Sequence, residues 1–337
     1  MSHRLPSSRV CGTLGVPHLK RLWSTAMAAR AGMPVRRPGE ARLDRVVLDA
    51  LGLGLHQTWD WLMRTAPGFD DFEAWVVATA GRPDDIRVQR LQAMVNGTPP
   101  PEAVRSWLSA VEAAEPVLTD DDLAFWHTNG YVVLRQAVGE DVRCAAEQAI
   151  YAHVDATPDD RESWYRGEGR HGIMVELIQH PALAATRRSP RIHKAYAQLW
   201  GTADLWVSSD RSGFHPPQRR NHPFPGPDLH WDLDLDQPLA FETQGILYLA
   251  DTPAEQGALT VVPGFHRRLP QWLATLPPDA HPQQQDLHAL GSAPVAGRAG
   301  DMVIWHAWLP HGSRPNLGDR PRVVQYINMI PGVPAVE

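Results

Sequence analysis

The sequence predicts an α+β fold in which helices come first and an antiparallel sandwich or barrel follows. Three observations predict it. Apolar residues recur at a helical period through the N-terminal third of the chain. From about residue 204 the period becomes two, in short runs separated by Pro- and Gly-rich turns. The 337 residues are 43% hydrophobic and 21% charged, which is a globular balance and not a disordered one.

The elements follow in order. Residues 1–40 hold no acidic residue before Glu40 and carry Arg4, Arg9, Lys20, Arg21, Arg30, Arg36 and Arg37. They read as a basic, loosely held arm. A transit peptide shares that composition, whereas the apolar stretch of a secretory signal is missing. Residues 41–65 read as a helix through Leu43, Val46, Val47, Ala50, Leu51, Leu55, Trp59 and Leu62, with Gly52 and Gly54 weakening its middle. Helices over 70–80, 84–95 and 101–114 complete a helical extension, 41–116, that carries no recognisable site.

At 117–337 a second domain is expected. Thr119 and Asp122 form a capping box that opens a helix. The turn Asn129-Gly130 leads to a strand, Tyr131-Val132-Val133-Leu134, and helices are expected over 139–153 and 180–200. Strand candidates are 204–209, 228–236, 244–250, 257–262, 301–308 and 322–330. Residues 208–228 read as a long irregular loop, either a lid or a plain surface loop. Its Arg211, Arg219 and Arg220 suit an anionic substrate group, and Trp164, Tyr165 and Arg166 suit the same mouth.

Composition excludes several functions. A net charge of −6 argues against a general nucleic-acid binder, and no apolar run is long enough to span a membrane. Two cysteines, Cys11 and Cys144, make no disulfide framework, so a reducing cytoplasm is the expected location. Cys144 reads as a small buried hydrophobe and Cys11 as part of the arm.

Chemistry concentrates in two segments. In Leu229-His230-Trp231-Asp232-Leu233-Asp234-Leu235-Asp236 a strand would place the apolar residues on one face and the imidazole and carboxylates on the other. Asp232 lies about 6.6 Å along such a strand from His230, against roughly 13 Å for Asp234 and 20 Å for Asp236, so Asp232 is the better partner. Asp234 and Asp236 then face a substrate channel or solvent. Further on, a strand leads to His311, and Arg322 follows eleven residues later. Two histidines and a carboxylate make a facial set that leaves positions open on a non-haem Fe(II).

These segments carry a resemblance. Residues 118–332 resemble the phytanoyl-CoA dioxygenase family of Fe(II)/2-oxoglutarate oxygenases in four ordered stretches: TDDDLAFWHTNGYVVL, LHWD, LADTPAEQGALTVVPGFH and GDMVIWHAWLPHGSRPNLGDRPR. The resemblance implies a double-stranded β-helix (jelly-roll, cupin-like) core flanked by helices. It implies His230, Asp232 and His311 as iron ligands, with Arg322 and Ser313 on the distal carboxylate of 2-oxoglutarate. It further implies hydroxylation of a small organic molecule, with O2 as oxidant, succinate and CO2 as by-products, and ascorbate as a stimulatory reductant. A guanidinium suits the dicarboxylate independently, because its planar fork meets a carboxylate in two parallel hydrogen bonds. Phe265 and Gln256 depart from the family's usual residues, but neither falls on an inferred ligand.

Rival residues are weaker. His266 reads as a turn residue and His306 as a packed one, while His215 and His222 sit in the loop before the metal segment. Arg320 competes with Arg322, and the spacing favours Arg322. Two other readings stay open. A non-catalytic metabolite-binding barrel would bind iron and 2-oxoglutarate without decarboxylation. A cupin-type metal enzyme independent of 2-oxoglutarate would keep full activity in Arg322→Ala. Oligomeric state, substrate identity and the purpose of the helical extension are not encoded in any motif.

Overall fold

The computed structural model describes residues 10–33, 40–167, 169–235 and 237–332. The chain divides into two compact units, and the division differs from the expected boundaries. One unit comprises 1–114, 200–210 and 329–337; the other comprises 115–199 and 211–328. The strands are β1 (Tyr131–Leu134), β2 (Arg170–His171), β3 (Met174–Val175), β4 (Leu205–Val207), β5 (Ser212–His215), β6 (Thr243–Tyr248), β7 (Thr260–Val261), β8 (Ala293–Pro294), β9 (Met302–His306), β10 (His311–Gly312), β11 (Arg322–Tyr326) and β12 (Met329–Pro331).

The first unit is helical, with β4 and β12 paired antiparallel as its small sheet. Its helices span Leu19–Arg30, Glu40–Leu51, Leu55–Thr65, Phe69–Ala80, Asp85–Asn96 and Glu102–Ala113. The expected loose arm is therefore a packed helix over 19–30. Leu19, Leu22 and Ala26 lie on one face of it and join a core with Val46, Val47, Leu62 and Phe72. Arg21 is buried there and pairs with Asp44 and, at 3.5 Å, with Glu40. The basic stretch thus finds its counter-charges just beyond the window that lacks acids. Residues 1–9 and 34–39 of that stretch lie outside the described residues. The single helix expected over 41–65 is two, because Gly52 turns the chain at φ 72° and Gly54 starts the second helix.

The second unit is the expected antiparallel double-stranded β-helix. A seven-stranded sheet runs β1-β9-β6-β11-β5-β3-β2, and a three-stranded sheet runs β10-β7-β8. Inner-face residues Ile246, Tyr248, Val303, Trp305 and Val324 form one core with Val261, Val295 and Leu309. The outer face of the large sheet is covered by helices. Tyr196, in the helix Pro190–Trp200, donates its hydroxyl to the Ile327 carbonyl at 2.7 Å, and the close approach requires Gly245, where a Cβ would collide with that hydroxyl. The helix expected over 180–200 is split into Pro181–Arg187 and Pro190–Trp200, because Pro190 cannot continue the preceding helix.

Two further expectations fail. Among the described residues of 228–236 no strand forms: only His230 pairs, as an isolated bridge to His311. Beyond it the Trp231 backbone leaves the ladder, its N–H donating to Gln283 Oε1 at 3.1 Å and its carbonyl accepting from Gln283 Nε2 at 2.7 Å. Conversely, the loop expected over 208–228 contains β5, every residue of which is buried. No helix among the described residues is long and apolar enough to cross a membrane.

Candidate active site

The site begins at the His230–His311 bridge. His230 N donates to the His311 carbonyl at 2.9 Å and His311 N to the His230 carbonyl at 3.0 Å, which sets the two rings 4.7 Å apart. Gly312 permits the approach, since a Cβ there would strike the Asp228 carbonyl. Two residues along, Asp232 places Oδ1 3.4 Å from His230 Nε2 and Oδ2 3.3 Å from His311 Nε2. One ligand atom from each of the three lies within 4.8 Å of the others. The residues that sequence spacing singled out therefore lie together, although through a bridge and a bend instead of a regular strand.

The ring orientations suit a metal ion. His230 Nδ1 sits 2.7 Å from the Asp228 carbonyl and His311 Nδ1 3.2 Å from the Leu309 carbonyl. A carbonyl only accepts, so both Nδ1 atoms carry a proton, and Nε2 of each ring is the atom that would serve a metal once the proton it shares with Asp232 is displaced. Backbone carbonyls behind the rings fix tautomer and direction, as the outer partners of metal-binding histidines do. The protein packed around the Asp232 carboxyl opposes its ionisation although the side chain is still 57% exposed, but hydrogen bonds from His230 and His311 outweigh this and hold the carboxyl well below the usual carboxylate range. Burial likewise lowers the His230 imidazole, and its hydrogen bond to Asp232 more than compensates, leaving it raised. A cation displaces protons from such a cluster and gains the carboxylate charge.

Gln244 completes the cluster, and sequence reasoning missed it. On β6 it faces Trp305 of β9 across the ladder. Trp305 Nε1 donates to Gln244 Oε1 at 3.0 Å, which turns Gln244 Nε2 onto Asp232 Oδ2 at 2.5 Å. Alternation of Gln244, Ile246 and Tyr248 on the inner face was the only available signal, and it does not distinguish a positioning amide from packing.

Arg322 opens β11 on the same face as Val324, and its side chain is 1% exposed. Nη1 donates to the Gly257 carbonyl at 2.8 Å, while Nε and Nη2 are buried without a partner. Two orphaned donors on a buried guanidinium are costly, and a carboxylate is the group that satisfies them. Gly257, at φ 67°, is required beside it, because a Cβ would lie 2.7 Å from His215 Nδ1. Ser313 is buried two residues after His311, with its N–H donating to the Pro227 carbonyl at 3.1 Å. Arg320, by contrast, reaches out to the Pro158 carbonyl.

The other candidates fall in place around this centre. Asp234 lines a cavity of about 450 Å³ together with Leu233, Leu235 and His281, while Asp236 lies outside the described residues. His266 packs at a turn against His306, which stacks on Trp126. Phe265 is core, packed on Trp231 and Trp272, and Gln256 ties the Asp251 and Pro321 carbonyls together. Tyr165 donates to the Pro217 carbonyl and lies beneath Arg219, whereas Trp164 is buried and Arg166 pairs with Asp155.

A double-stranded β-helix with a two-histidine, one-carboxylate cluster and a buried, half-satisfied arginine defines the class of non-haem iron, 2-oxoglutarate-dependent dioxygenases. The chain belongs to the phytanoyl-CoA dioxygenase (PhyH) family, whose profile matches residues 126–324. It is similar to a putative phytanoyl-CoA dioxygenase of Dictyostelium discoideum, 21% identical over 258 residues, covering 61% of this chain and 74% of that one. It is also similar to an ectoine dioxygenase of Bordetella parapertussis, 23% identical over 235 residues, covering 61% and 73%. Among solved structures, the non-heme alpha ketoglutarate dependent carbocyclase SnoK from nogalamycin biosynthesis aligns with TM-score 0.46 and 21% identity, over 66% of this chain and 97% of that one.

Proposed function

We propose that His230, Asp232 and His311 hold the iron, that Arg322 and Ser313 receive the distal carboxylate of 2-oxoglutarate, and that the enzyme hydroxylates a small anionic organic molecule. The observation that carries this reading is the convergence of two histidine Nε2 atoms and one carboxylate on a common point, with both Nδ1 protons spent on backbone carbonyls. Iron, when bound, supplies the redox chemistry that couples O2 to decarboxylation of 2-oxoglutarate to succinate and CO2. The chain supplies the rest. Asp232 balances cationic charge and leaves the imidazoles neutral. Gln244 fixes the rotamer of Asp232, and Arg322 sets the reach of the dicarboxylate. Ascorbate belongs to the assay as a reductant that keeps the metal ferrous.

A binding barrel without turnover is disfavoured because all four key positions are filled. A cupin-type enzyme without 2-oxoglutarate leaves the two buried donors of Arg322 unexplained. The test is a metabolite extract incubated with protein, iron, 2-oxoglutarate and ascorbate. A product heavier by one oxygen atom, formed together with succinate, is expected; a product formed equally without 2-oxoglutarate overturns the reading.

A further inference from the structure

A second cavity, of about 280 Å³, lies between β5, the β2–β3 turn and the segment after β5. Its polar lining consists of Arg170, His215, Gln218, Asn221 and His222, with no carboxylate among the described lining residues. Three of these residues hold a buried nitrogen without a partner: Arg170 Nη1, His215 Nδ1 and His222 Nδ1. Three orphaned nitrogens around one cavity are an unusual concentration, because buried polar groups are almost always paired. A ligand that brings acceptors satisfies them together.

The cavity is built, not incidental. Arg170 donates Nη2 to the Trp164 carbonyl at 2.9 Å and rests its guanidinium 5.5 Å from the centre of the Phe214 ring. That fixes the head and leaves Nη1 without a partner. His215 stacks on Phe224 with ring centroids 5.2 Å apart, and His222 leans on Tyr165 at 4.9 Å. Apolar walls of this kind strengthen a charge pair by excluding water. Burial, followed by the fields of Arg322 and Arg170, lowers His215 to about 2, so this imidazole is neutral and the surroundings are electropositive. His215 is also the ladder partner of Arg322 in the β5–β11 pairing, so one strand carries residues toward both the cavity and Arg322.

We infer that this cavity binds the carboxylate of the substrate, with Arg170 as its ionic partner and His215 and His222 as neutral hydrogen-bonding groups. With Arg322 assigned to 2-oxoglutarate, Arg170 contributes a single positive charge, which matches a monoanion better than a phosphate dianion. Arg170 is thereby a specificity-determining residue. The inference rests on the dioxygenase reading above and names the class of substrate for that site.

The experiment uses the full chain loaded with Ni(II) and saturating 2-oxoglutarate, so that no turnover occurs. Benzoate, phenylacetate, hexanoate and octanoate are titrated by calorimetry beside their primary amides and inorganic phosphate. At least one acid is expected to bind about tenfold more tightly than its amide, as a charge-assisted hydrogen bond requires. Arg170→Met is expected to erase that preference, and Arg170→Lys to restore part of it, while 2-oxoglutarate affinity stays within about twofold of wild type. His222→Ala, elsewhere in the lining, weakens the same acid if the Met variant does not fold. The proposal is overturned if no acid in the panel outbinds its amide. It is overturned equally if phosphate competes as strongly as the acid, or if Arg170→Met raises the 2-oxoglutarate Kd about tenfold, which would assign the cavity to the cosubstrate. Failure of the underlying reading looks different: wild-type protein would not bind 2-oxoglutarate at all.

Discussion

Gln244→Leu is the sharpest perturbation of the metal cluster, because it removes one bond while leaving every proposed ligand in place. Gln244 Nε2 lies 2.5 Å from Asp232 Oδ2, and the amide is held from behind by Trp305 Nε1 at 3.0 Å. A hydrogen bond to a charged group contributes about 1.5–3 kcal/mol, or roughly 10–100-fold in affinity. The Asp232 side chain is 57% exposed, so water replaces part of the lost bond and the lower end applies. Metal affinity is therefore expected to fall about tenfold, within the range found for outer partners of metal ligands. The assay is the Mn(II) dissociation constant by competition with a fluorescent chelator, beside the 2-oxoglutarate Kd at saturating metal. Trp305→Phe, which frees the amide to rotate, should give a smaller loss in the same direction. If folded Gln244→Leu binds Mn(II) as tightly as wild type, the idea that this amide positions Asp232 is wrong.

Other outcomes follow from the same structure. Arg322→Met should raise the 2-oxoglutarate Kd by about 100-fold, and Arg322→Lys should not restore it, because a point charge cannot reproduce the planar fork; an unchanged Kd in calorimetry would remove Arg322 from the site. Burial and the nearby Arg322 and Arg170 lower His215 to about 2, while burial and His266 lower His306 to about 3. Both folded values lie below the unfolded value near ~6.5, so their contribution is complete above that pH and declines as pH falls, by about 1.4 kcal/mol per pH unit for each group. Urea unfolding from about pH 6.5 down to about pH 5 should therefore show a shallower loss in His215→Asn than in wild type; identical slopes would contradict the buried, neutral state of His215. Gly245→Ala should destabilise the protein by about 1–3 kcal/mol, since the new Cβ meets the Tyr196 hydroxyl, the Ile327 carbonyl and Met302; an unchanged melting temperature would show that the helix on the outer face yields.

Much of the candidate site was legible because its residues lie close in sequence. His230 and Asp232 are two residues apart, and that spacing brings imidazole and carboxylate together in a strand or in the bridge and bend that form here. Residue type and the eleven-residue spacing from His311 pointed to Arg322, and the structure buries it. What escaped the sequence depends on long-range pairing. The strand β5 was hidden in a Pro- and Arg-rich stretch, and its residues are strand only because β11 and β3 flank them. Gln244 looks like any inward polar residue until Trp305 is placed opposite. The packed helix over 19–30 was masked by its charge, since the partners of Arg21 begin at residue 40. Helix breaks at Gly52 and Pro190 were signalled by residue type, but periodicity ran through both.

The central claim is that His230, Asp232 and His311 hold one metal ion that makes the protein a 2-oxoglutarate-dependent dioxygenase. Succinate formed from 2-oxoglutarate with added Fe(II), measured together with bound metal per chain, tests it most directly. One metal per chain and succinate formation are expected in wild type, with both lost in His230→Ala, Asp232→Ala and His311→Ala variants that remain folded. Undiminished metal binding and succinate formation in all three variants would contradict the account.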